Sequence, residues 1–354
     1  MLAEQIKDKE LLDGSIKKLK KENPRADLQL LEKTIGALFL LENLANNGLD
    51  FIFKGGTSLV VLLDDLKRFS VDVDIITEES KDTVLKCLQE IIENQDLFTR
   101  LEENIREISA SQRMDLQHYK LFFNSVTDES EKYILLDVAY EENKYPKVIS
   151  KKIESSKIEV SSDVKIKLPS IESILGDKLT VLATRTTGIS FNSEKELELM
   201  KQLYDVDKLF NRAEDAKIIR QSFINIATRE LKYRKMFDYS FEDVLEDIRD
   251  FCLDIILLNQ DHMRKIAIGI RKLSGYILER KFSADQEVLI AASKVLYLVD
   301  LIKNGNEKIE RYTESYEDFT AIIPEEYKKR MKRIQKYNKE AYYYILKSLE
   351  QKEE

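Results

Sequence analysis

The sequence contains no tryptophan and has few cysteines, prolines and glycines: two, four and ten among 354 residues. So few prolines and glycines favour long regular elements over turn-rich β structure. The two cysteines, Cys87 and Cys252, lie far apart inside apolar-periodic segments, and neither belongs to a Cys-x-x-Cys pair. We therefore interpret them as buried free thiols of a protein from a reducing compartment.

Histidine is equally scarce, since His118 and His262 are the only two. Two scattered histidines cannot form a histidine-rich zinc site. Any bound metal ion must then be held by carboxylates, which suits Mg²⁺ or Mn²⁺.

Long apolar runs are also missing, because no stretch approaches the about 18 consecutive apolar residues of a membrane span. The N-terminus lacks the basic start and apolar run of a signal peptide. We therefore expect a cytoplasmic protein that does not engage a membrane. The net charge of −8 argues against non-specific coating of DNA, although it leaves room for a local basic groove.

The spacing of the apolar residues changes along the chain. Residues 1–48 have helical periodicity, and nearly every segment after residue 194 has it again. Short apolar runs between them predict strands near residues 51–53, 71–75, 119–123, 133–140, 157–160 and 164–168. We predict an α/β (α+β) domain over residues 1–210, followed by a helical bundle over residues 211–354.

One segment carries a recognisable chemical pattern: residues 54–76 read KGGTSLVVLLDDLKRFSVDVDII. Gly55 and Gly56 follow a predicted strand, where they permit an unusual backbone turn and the close approach of a large anion. A predicted helix begins next and presents free N–H groups at its positive end. Thr57 and Ser58 add hydroxyl donors. This combination suits a triphosphate.

Two carboxylates follow this loop. Asp72 and Asp74 alternate with apolar residues over 71–75, which predicts a strand with both carboxylates on one face. A pair of this kind can hold one or two divalent cations. Asp137 is the candidate third carboxylate, because it is an isolated acid in an apolar run and a buried carboxylate needs a cation or donors nearby.

A strand, a Gly-Gly turn, a short helix and an Asp-x-Asp strand, in this order, are typical of polymerase-β-like nucleotidyltransferases. Five pieces of the sequence, GGTSL, RFSVDVDI, LLDV, DKLTVLATR and KQLYDVDKL, resemble the AbiEii/AbiGii toxin family of nucleotidyltransferases over about residues 50–210. The resemblance implies a core with a mixed sheet, an NTP substrate, Mg²⁺ or Mn²⁺, and a cognate antitoxin. It also implies transfer of a nucleotide to RNA, since some members modify the acceptor end of tRNA.

The resemblance assigns roles to individual residues. It places Gly56 and Ser58 on the phosphates, Asp72 and Asp74 on the metal, and Arg68 in the Arg-x-Ser lead that precedes these carboxylates and contacts the nucleotide.

Further along the chain, Lys178 resembles a lysine that contacts the nucleotide phosphates, and Asp205 resembles the last acidic position of the family. Lys201 matches a basic position before it. Gln202 departs from the pattern, because the family often has Asp there.

A helix predicted over about residues 324–349 is rich in both cations and tyrosines. The residues are Lys328, Lys329, Arg330, Lys332, Arg333, Lys336 and Lys339, with Tyr327, Tyr337, Tyr342, Tyr343 and Tyr344. This composition suits RNA, since cations bind phosphates and rings stack on bases. A solvated helix face is the alternative interpretation.

Three other functions remain compatible with the sequence. The same core serves nucleotidyltransferases whose acceptor is a small molecule or a protein. A glycosyltransferase also uses an Asp-x-Asp pair, but it leaves the glycine turn unexplained. A catalytically silent interaction protein is the non-enzymatic alternative.

Overall fold

The computed structural model describes residues 9–22, 24, 27–63, 68–103, 116–156, 158–191, 193–277, 282–314 and 323–350. The chain forms two compact units. The first consists of Met1–Asn143, Val148–Ser170 and Gly275–Glu279, and the second of Lys144–Lys147, Ile171–Ser274 and Arg280–Glu354. The division at Ser170 comes earlier than the expected boundary near residue 210, because the helices that follow Ser170 pack with later helices.

Among the described residues, seven strands of the first unit form one mixed sheet. They are β1 (Ile52–Lys54), β2 (Val73–Thr77), β3 (Phe98–Glu103), β4 (Leu116–Asn124), β5 (Glu131–Tyr140), β6 (Val148–Ser155) and β7 (Val160–Pro169). Their order across the sheet is β3-β4-β5-β2-β1-β7-β6. The pairs β1–β7 and β2–β5 are parallel and the other four are antiparallel, which confirms the mixed sheet.

Several strands differ from the predicted ones, and β4 begins three residues earlier than the predicted run 119–123, at Leu116. β2 begins two residues later than expected, at Val73. The runs near 157–160 and 164–168 belong to one strand, β7, with residue 157 outside the described part of the chain. β3 and β6 were not predicted. Both lie at an edge of the sheet and are largely polar, so they lack the apolar alternation that identifies a half-buried strand.

Four helices accompany this sheet among the described residues: α1 (Lys9–Glu22), α2 (Leu28–Asn46), α3 (Gly55–Leu62) and α4 (Lys81–Asn94). α2 is buried along most of its length, and it packs against α4, β5 and β7. Gly36 lets α2 approach the sheet, because a Cβ there would already lie 3.4 Å from Ile134. α3 starts at Gly55, three residues earlier than predicted, and residues 64–67 lie outside the described part.

The described part of the second unit is helical, as predicted. Its helices are α5 (Ile171–Thr180), α6 (Glu196–Phe210), α7 (Ala216–Tyr233), α8 (Phe241–Ile256), α9 (Gln260–Leu273), α10 (Glu287–Asn304), α11 (Lys328–Tyr337) and α12 (Lys339–Glu350). α10 is buried on nearly all sides, as expected of a central helix, and it packs against α6, α8 and α12.

The C-terminal helix predicted as continuous is interrupted at Asn338, whose side-chain oxygen accepts a hydrogen bond from the backbone N–H of Ala341 and so caps α12. Among the described residues, no helix has the length and apolar character needed to cross a membrane.

Candidate active site

The glycine turn lies directly against one of the predicted carboxylates. β1 runs into α3 at Gly55, whose φ of +74° lies in the left-handed region that favours glycine. A Cβ on Gly55 would lie 2.0 Å from Asp74 Oδ2. α3 begins without a side-chain cap, so its first backbone N–H groups are available as donors for an anion.

The second glycine of the turn faces the Arg-x-Ser lead. A Cβ on Gly56 would lie 2.8 Å from Arg68 Nη2 and 2.9 Å from Ser70 Oγ. Arg68 is buried, and its Nη1 donates a hydrogen bond to the carbonyl of Phe69 at 2.9 Å. The segment that precedes the carboxylates is therefore packed on the glycine turn.

The two hydroxyls of the turn donate to backbone carbonyls. Thr57 Oγ1 donates to Asp72 O at 2.5 Å, and Ser58 Oγ donates to Gly55 O at 2.8 Å. Both side chains are fully buried. The Thr57 and Ser58 hydroxyls thus stabilise the turn and the residues just before β2. The donors that the turn presents to a phosphate are its backbone N–H groups.

Asp74 and Asp137 are neighbours across two parallel strands. Asp74 on β2 and Asp137 on β5 are register partners, and adjacent strands are about 4.8 Å apart. Lys54 is the partner of Asp74 on one side, and His118 is the partner of Asp137 on the other. A row of four ionisable residues therefore crosses β1, β2, β5 and β4 on one face of the sheet.

His118 holds the outer carboxylate of this row. Its Nδ1 is 2.6 Å from Asp137 Oδ1, and both side chains are largely buried. The sequence pattern does not reveal this pair. Apolar runs predict strands near residues 119–123 and 133–140, but they do not give the register that brings His118 beside Asp137.

Asp72 does not share a strand with Asp74, as the alternation had predicted. It precedes β2 and is exposed, and its carbonyl accepts the hydrogen bond of the Thr57 hydroxyl. Lys33 on α2 is close enough to interact with it. Burial lowers the pKa of the Lys33 ammonium, and the charge of Asp72 opposes that shift. Lys33 is a cation near the candidate site that no sequence motif indicated.

The carboxylates fit a cation that is bound together with a nucleotide. Among the described residues, no three histidine, cysteine, aspartate or glutamate side chains are grouped closely enough to hold a metal ion by themselves. Mg²⁺, however, is usually held by one or two carboxylates together with substrate phosphates and water. Asp74 and Asp137 provide two neighbouring carboxylates beside a turn that suits phosphates, so the donor set fits Mg²⁺.

The remaining predicted residues lie in the second unit and contact one another. Lys178 Nζ on α5 is 2.8 Å from Asp205 Oδ2 and 2.9 Å from Gln202 Oε1, both on α6. The Lys178 and Asp205 side chains are only 6% and 0% exposed. Gln202, the departure from the family pattern, therefore accepts a hydrogen bond from the predicted phosphate-binding lysine.

The mixed sheet, the glycine turn and the neighbouring carboxylates match the arrangement that the sequence predicts for a nucleotidyltransferase. The family model described as the nucleotidyl transferase AbiEii toxin of type IV toxin–antitoxin systems matches residues 38–271. This match spans more than half of the chain, and the chain belongs to that family. Among curated proteins, none matches the sequence.

Three solved structures are similar to parts of this chain. A candidate nucleotidyltransferase from H. pylori is 17% identical, with a TM-score of 0.46, and the match covers 78% of this chain and 94% of that one. JHP933 from Helicobacter pylori is 17% identical, with a TM-score of 0.47 and coverages of 79% and 94%. An antigenic nucleotidyltransferase-like protein from Paracoccidioides brasiliensis is 14% identical, with a TM-score of 0.37 and coverages of 60% and 92%. The family assignment rests on the family model and not on these similarities.

Proposed function

We propose that this protein is a toxin that transfers a nucleotide from an NTP to an RNA acceptor, the 3′ end of tRNA, in a reaction that requires Mg²⁺ or Mn²⁺. A hydroxyl oxygen of the acceptor loses its proton to water and forms the new bond to the α-phosphorus. The bond from that phosphorus to the oxygen that bridges to the β-phosphate breaks, and pyrophosphate leaves with the electron pair.

The observation that carries the proposal is the placement of Asp74 and Asp137 on adjacent parallel strands, at the same register and on the same face. Like charges at this separation repel each other, which favours a cation beside them. A divalent cation, when bound, supplies charge neutralisation for the triphosphate and the leaving group. His118 keeps the Asp137 carboxylate in one orientation through its hydrogen bond.

The phosphates have a separate set of donors in the proposal. The backbone N–H groups at the start of α3 and its positive dipole end favour an anion at the glycine turn. Gly55 brings that turn against Asp74, so phosphates at the turn lie beside the carboxylates. Arg68 packs on Gly56 and adds positive charge. Lys178 and Asp205 enter the proposal through the family resemblance, which assigns Lys178 to the phosphates.

The acceptor and the partner are proposed from the family. AbiEii proteins are toxins of type IV toxin–antitoxin systems, which supports a cognate antitoxin and a cytoplasmic target. The resemblance to members that modify tRNA supports RNA as the acceptor.

The test is incorporation of label from each α-³²P-labelled NTP into total tRNA by the purified full-length protein with Mg²⁺. We expect one or more NTPs to label tRNA, and a chelator to abolish the reaction until Mg²⁺ or Mn²⁺ is added in excess. Asp74→Asn and Asp137→Asn should each reduce the rate by at least about 100-fold, because they remove charge that the transition state requires. The same variants should no longer arrest growth when expressed in a bacterial host.

A matched control is Asp163→Asn. Asp163 is an exposed carboxylate of the same sheet that pairs with exposed Lys152, so its removal should leave both activities unchanged. Equal labelling by the parent and the Asp74→Asn protein would refute the proposed site. Label found in protein or in a small-molecule acceptor instead of tRNA would refute RNA as the acceptor while retaining nucleotide transfer.

A further inference from the structure

Helix α11 carries an unusual concentration of positive charge. Its ten residues, KKRMKRIQKY, include six lysines and arginines and no acid, in a chain whose net charge is −8. The helix lies outside the residues that the family model matches, 38–271, so the family assigns it no role.

The helix is attached to the second unit by its apolar side. Met331 and Ile334 are each only 2% exposed, and Arg330 Nε donates a hydrogen bond to Ile256 O at 2.8 Å. The exposed side consists of cations, namely Lys328, Lys329, Lys332, Arg333 and Lys336. Because these contacts hold the buried side of the helix in place, the cations on its exposed side have defined positions.

The charge arrangement opposes the stability of the helix. Cations occupy its first turn, where the positive end of the helix dipole disfavours them, and only Lys328 among the described cations of that turn pairs with an acid, Glu325 of the preceding turn. Lys328, Lys332 and Lys336 follow one another at i,i+4 spacing, at which like charges repel. Burial and the charge of Arg333 also lower the pKa of Arg330. A local conflict of this kind is expected where the residues serve binding rather than folding.

An aromatic ring and a shallow pocket adjoin the cations. Tyr337 is 63% exposed, and Lys336 Nζ lies 5.3 Å from the centre of its ring. A pocket of about 200 Å³ lies beside this ring. Its polar lining residues are Arg330, Arg333, Asn338, Gln286 and one acid, Asp285. Cations next to an exposed ring are the combination that binds single-stranded nucleic acid.

We propose that α11 binds the single-stranded part of the RNA acceptor, with Lys329, Arg333 and Lys336 on the phosphates and Tyr337 stacked on a base. The proposal rests on the proposed function for the choice of RNA. A membrane surface is disfavoured, because the apolar residues of an interfacial helix must face the bilayer and here Met331 and Ile334 are buried in the protein. An acidic protein would use the charges but leave the exposed ring and the pocket without a role.

The test is binding of fluorescently labelled tRNA by the full-length protein, measured by anisotropy without NTP over a series of salt concentrations. The variant Lys329→Gln, Arg333→Gln, Lys336→Gln should raise the Kd by roughly 10- to 100-fold and reduce the salt slope by about 2, because three phosphate contacts are lost. Its thermal unfolding midpoint should equal or exceed that of the parent, since like charges have been removed.

The matched control neutralises three exposed lysines of the same unit outside α11: Lys217, Lys232 and Lys303. Lys217→Gln, Lys232→Gln, Lys303→Gln should leave the Kd and the salt slope unchanged. Tyr337→Ala should raise the Kd by about 10-fold without altering the salt slope, because stacking releases no counterions. Tyr239→Ala, at another exposed ring of the unit, should have no effect.

The outcomes separate this inference from the proposed function. Parent-like RNA binding by the α11 triple variant would overturn the inference even if nucleotide transfer to tRNA proceeds. Intact RNA binding through α11 with no labelling of tRNA would support the inference and reject the proposed function. A third outcome would show that α11 is a general surface for polyanions or acidic proteins. In it, the triple variant loses affinity for poly-glutamate as strongly as for tRNA, and Tyr337→Ala changes the affinity for neither polymer. The inference would then fail.

Discussion

Gly55 and Asp74 are so close that a side chain on the glycine would displace the carboxylate: a Cβ there would lie 2.0 Å from Asp74 Oδ2. This contact joins the two parts of the candidate site, because the turn that suits phosphates and the carboxylate that suits a cation touch each other. The row from Lys54 to His118 then extends the site across the sheet.

Gly55→Ala should therefore impair both folding and activity. We expect the free energy of unfolding to fall by about 2–4 kcal/mol, because the variant combines a strained left-handed residue with a steric clash. Residual folded protein should transfer nucleotide poorly, since Asp74 must move. The control is Gly48→Ala: Gly48 also has a positive φ, +78°, but nothing lies within 4 Å of a Cβ there, so only about 1 kcal/mol should be lost. Urea unfolding and the tRNA-labelling assay measure both effects, and equal losses in the two variants would argue against the clash.

His118→Asn should reduce transfer activity by about 10- to 100-fold, as is usual when a residue that orients a metal-binding carboxylate is removed. The Mg²⁺ concentration needed for half-maximal rate should rise at the same time, which a merely structural role would not produce. His262→Asn changes the only other histidine and serves as the control. An unchanged Mg²⁺ requirement in His118→Asn would show that the 2.6 Å contact with Asp137 does not position the carboxylate.

Lys178→Ala should destabilise the protein by about 3–5 kcal/mol, because it leaves the charge of Asp205 buried without its lysine. The double variant Lys178→Met, Asp205→Leu should recover much of this stability, since well-packed apolar residues can replace a buried ion pair. Lys152→Ala breaks the exposed pair with Asp163 and should cost less than about 1 kcal/mol. Urea unfolding decides the prediction, which fails if Lys178→Ala is as stable as Lys152→Ala. If the double variant is stable but does not transfer nucleotide, the role of the pair of Lys178 and Asp205 is chemical as well as structural.

Both cysteines should be unreactive in the folded protein. Burial, with a smaller contribution from Glu90, raises the pKa of the Cys87 thiol to about 11, and burial raises that of Cys252 well above its ordinary value. A thiol-specific reagent at neutral pH should therefore modify neither residue until the protein unfolds. Rapid modification of the native protein would contradict the assignment of both thiols to the core.

The same shifts predict a loss of stability in alkali. Between the ordinary thiol pKa of 9.0 and about 11, the unfolded state has lost the Cys87 proton while the folded state retains it. The unfolded state then binds fewer protons, so the free energy of unfolding falls as the pH rises through this range. Urea unfolding at a series of alkaline pH values should show a smaller decline for Cys87→Ser than for the parent.

The local features of the site were predictable because each depends on the residue types within one short segment. Gly55 and Gly56 between a strand and a helix, and Asp74 between apolar residues of a strand, follow from composition and period-two alternation. The same pattern erred at Asp72, because alternation does not show where pairing begins. β3 and β6 were missed because edge strands carry little apolar signal.

Long-range pairing could not be predicted in the same way. The contact of His118 with Asp137 and that of Lys178 with Gln202 and Asp205 join residues on different elements. The sequence predicts a strand for Asp137 and helices for Lys178, Gln202 and Asp205, but the predicted strand 119–123 stops short of His118. The register between β4 and β5 and the crossing of α5 and α6 depend on the packing of each whole unit.

The sequence by itself determined the class of fold, the glycine turn, the carboxylates and the family, since each depends on residue types at short spacing. Only the tertiary structure decided that Asp74 and Asp137 share one register, that His118 orients Asp137, and that the Thr57 and Ser58 hydroxyls serve the backbone. These relationships depend on which strands become neighbours, and that choice is made by burial of the common core rather than by any one segment.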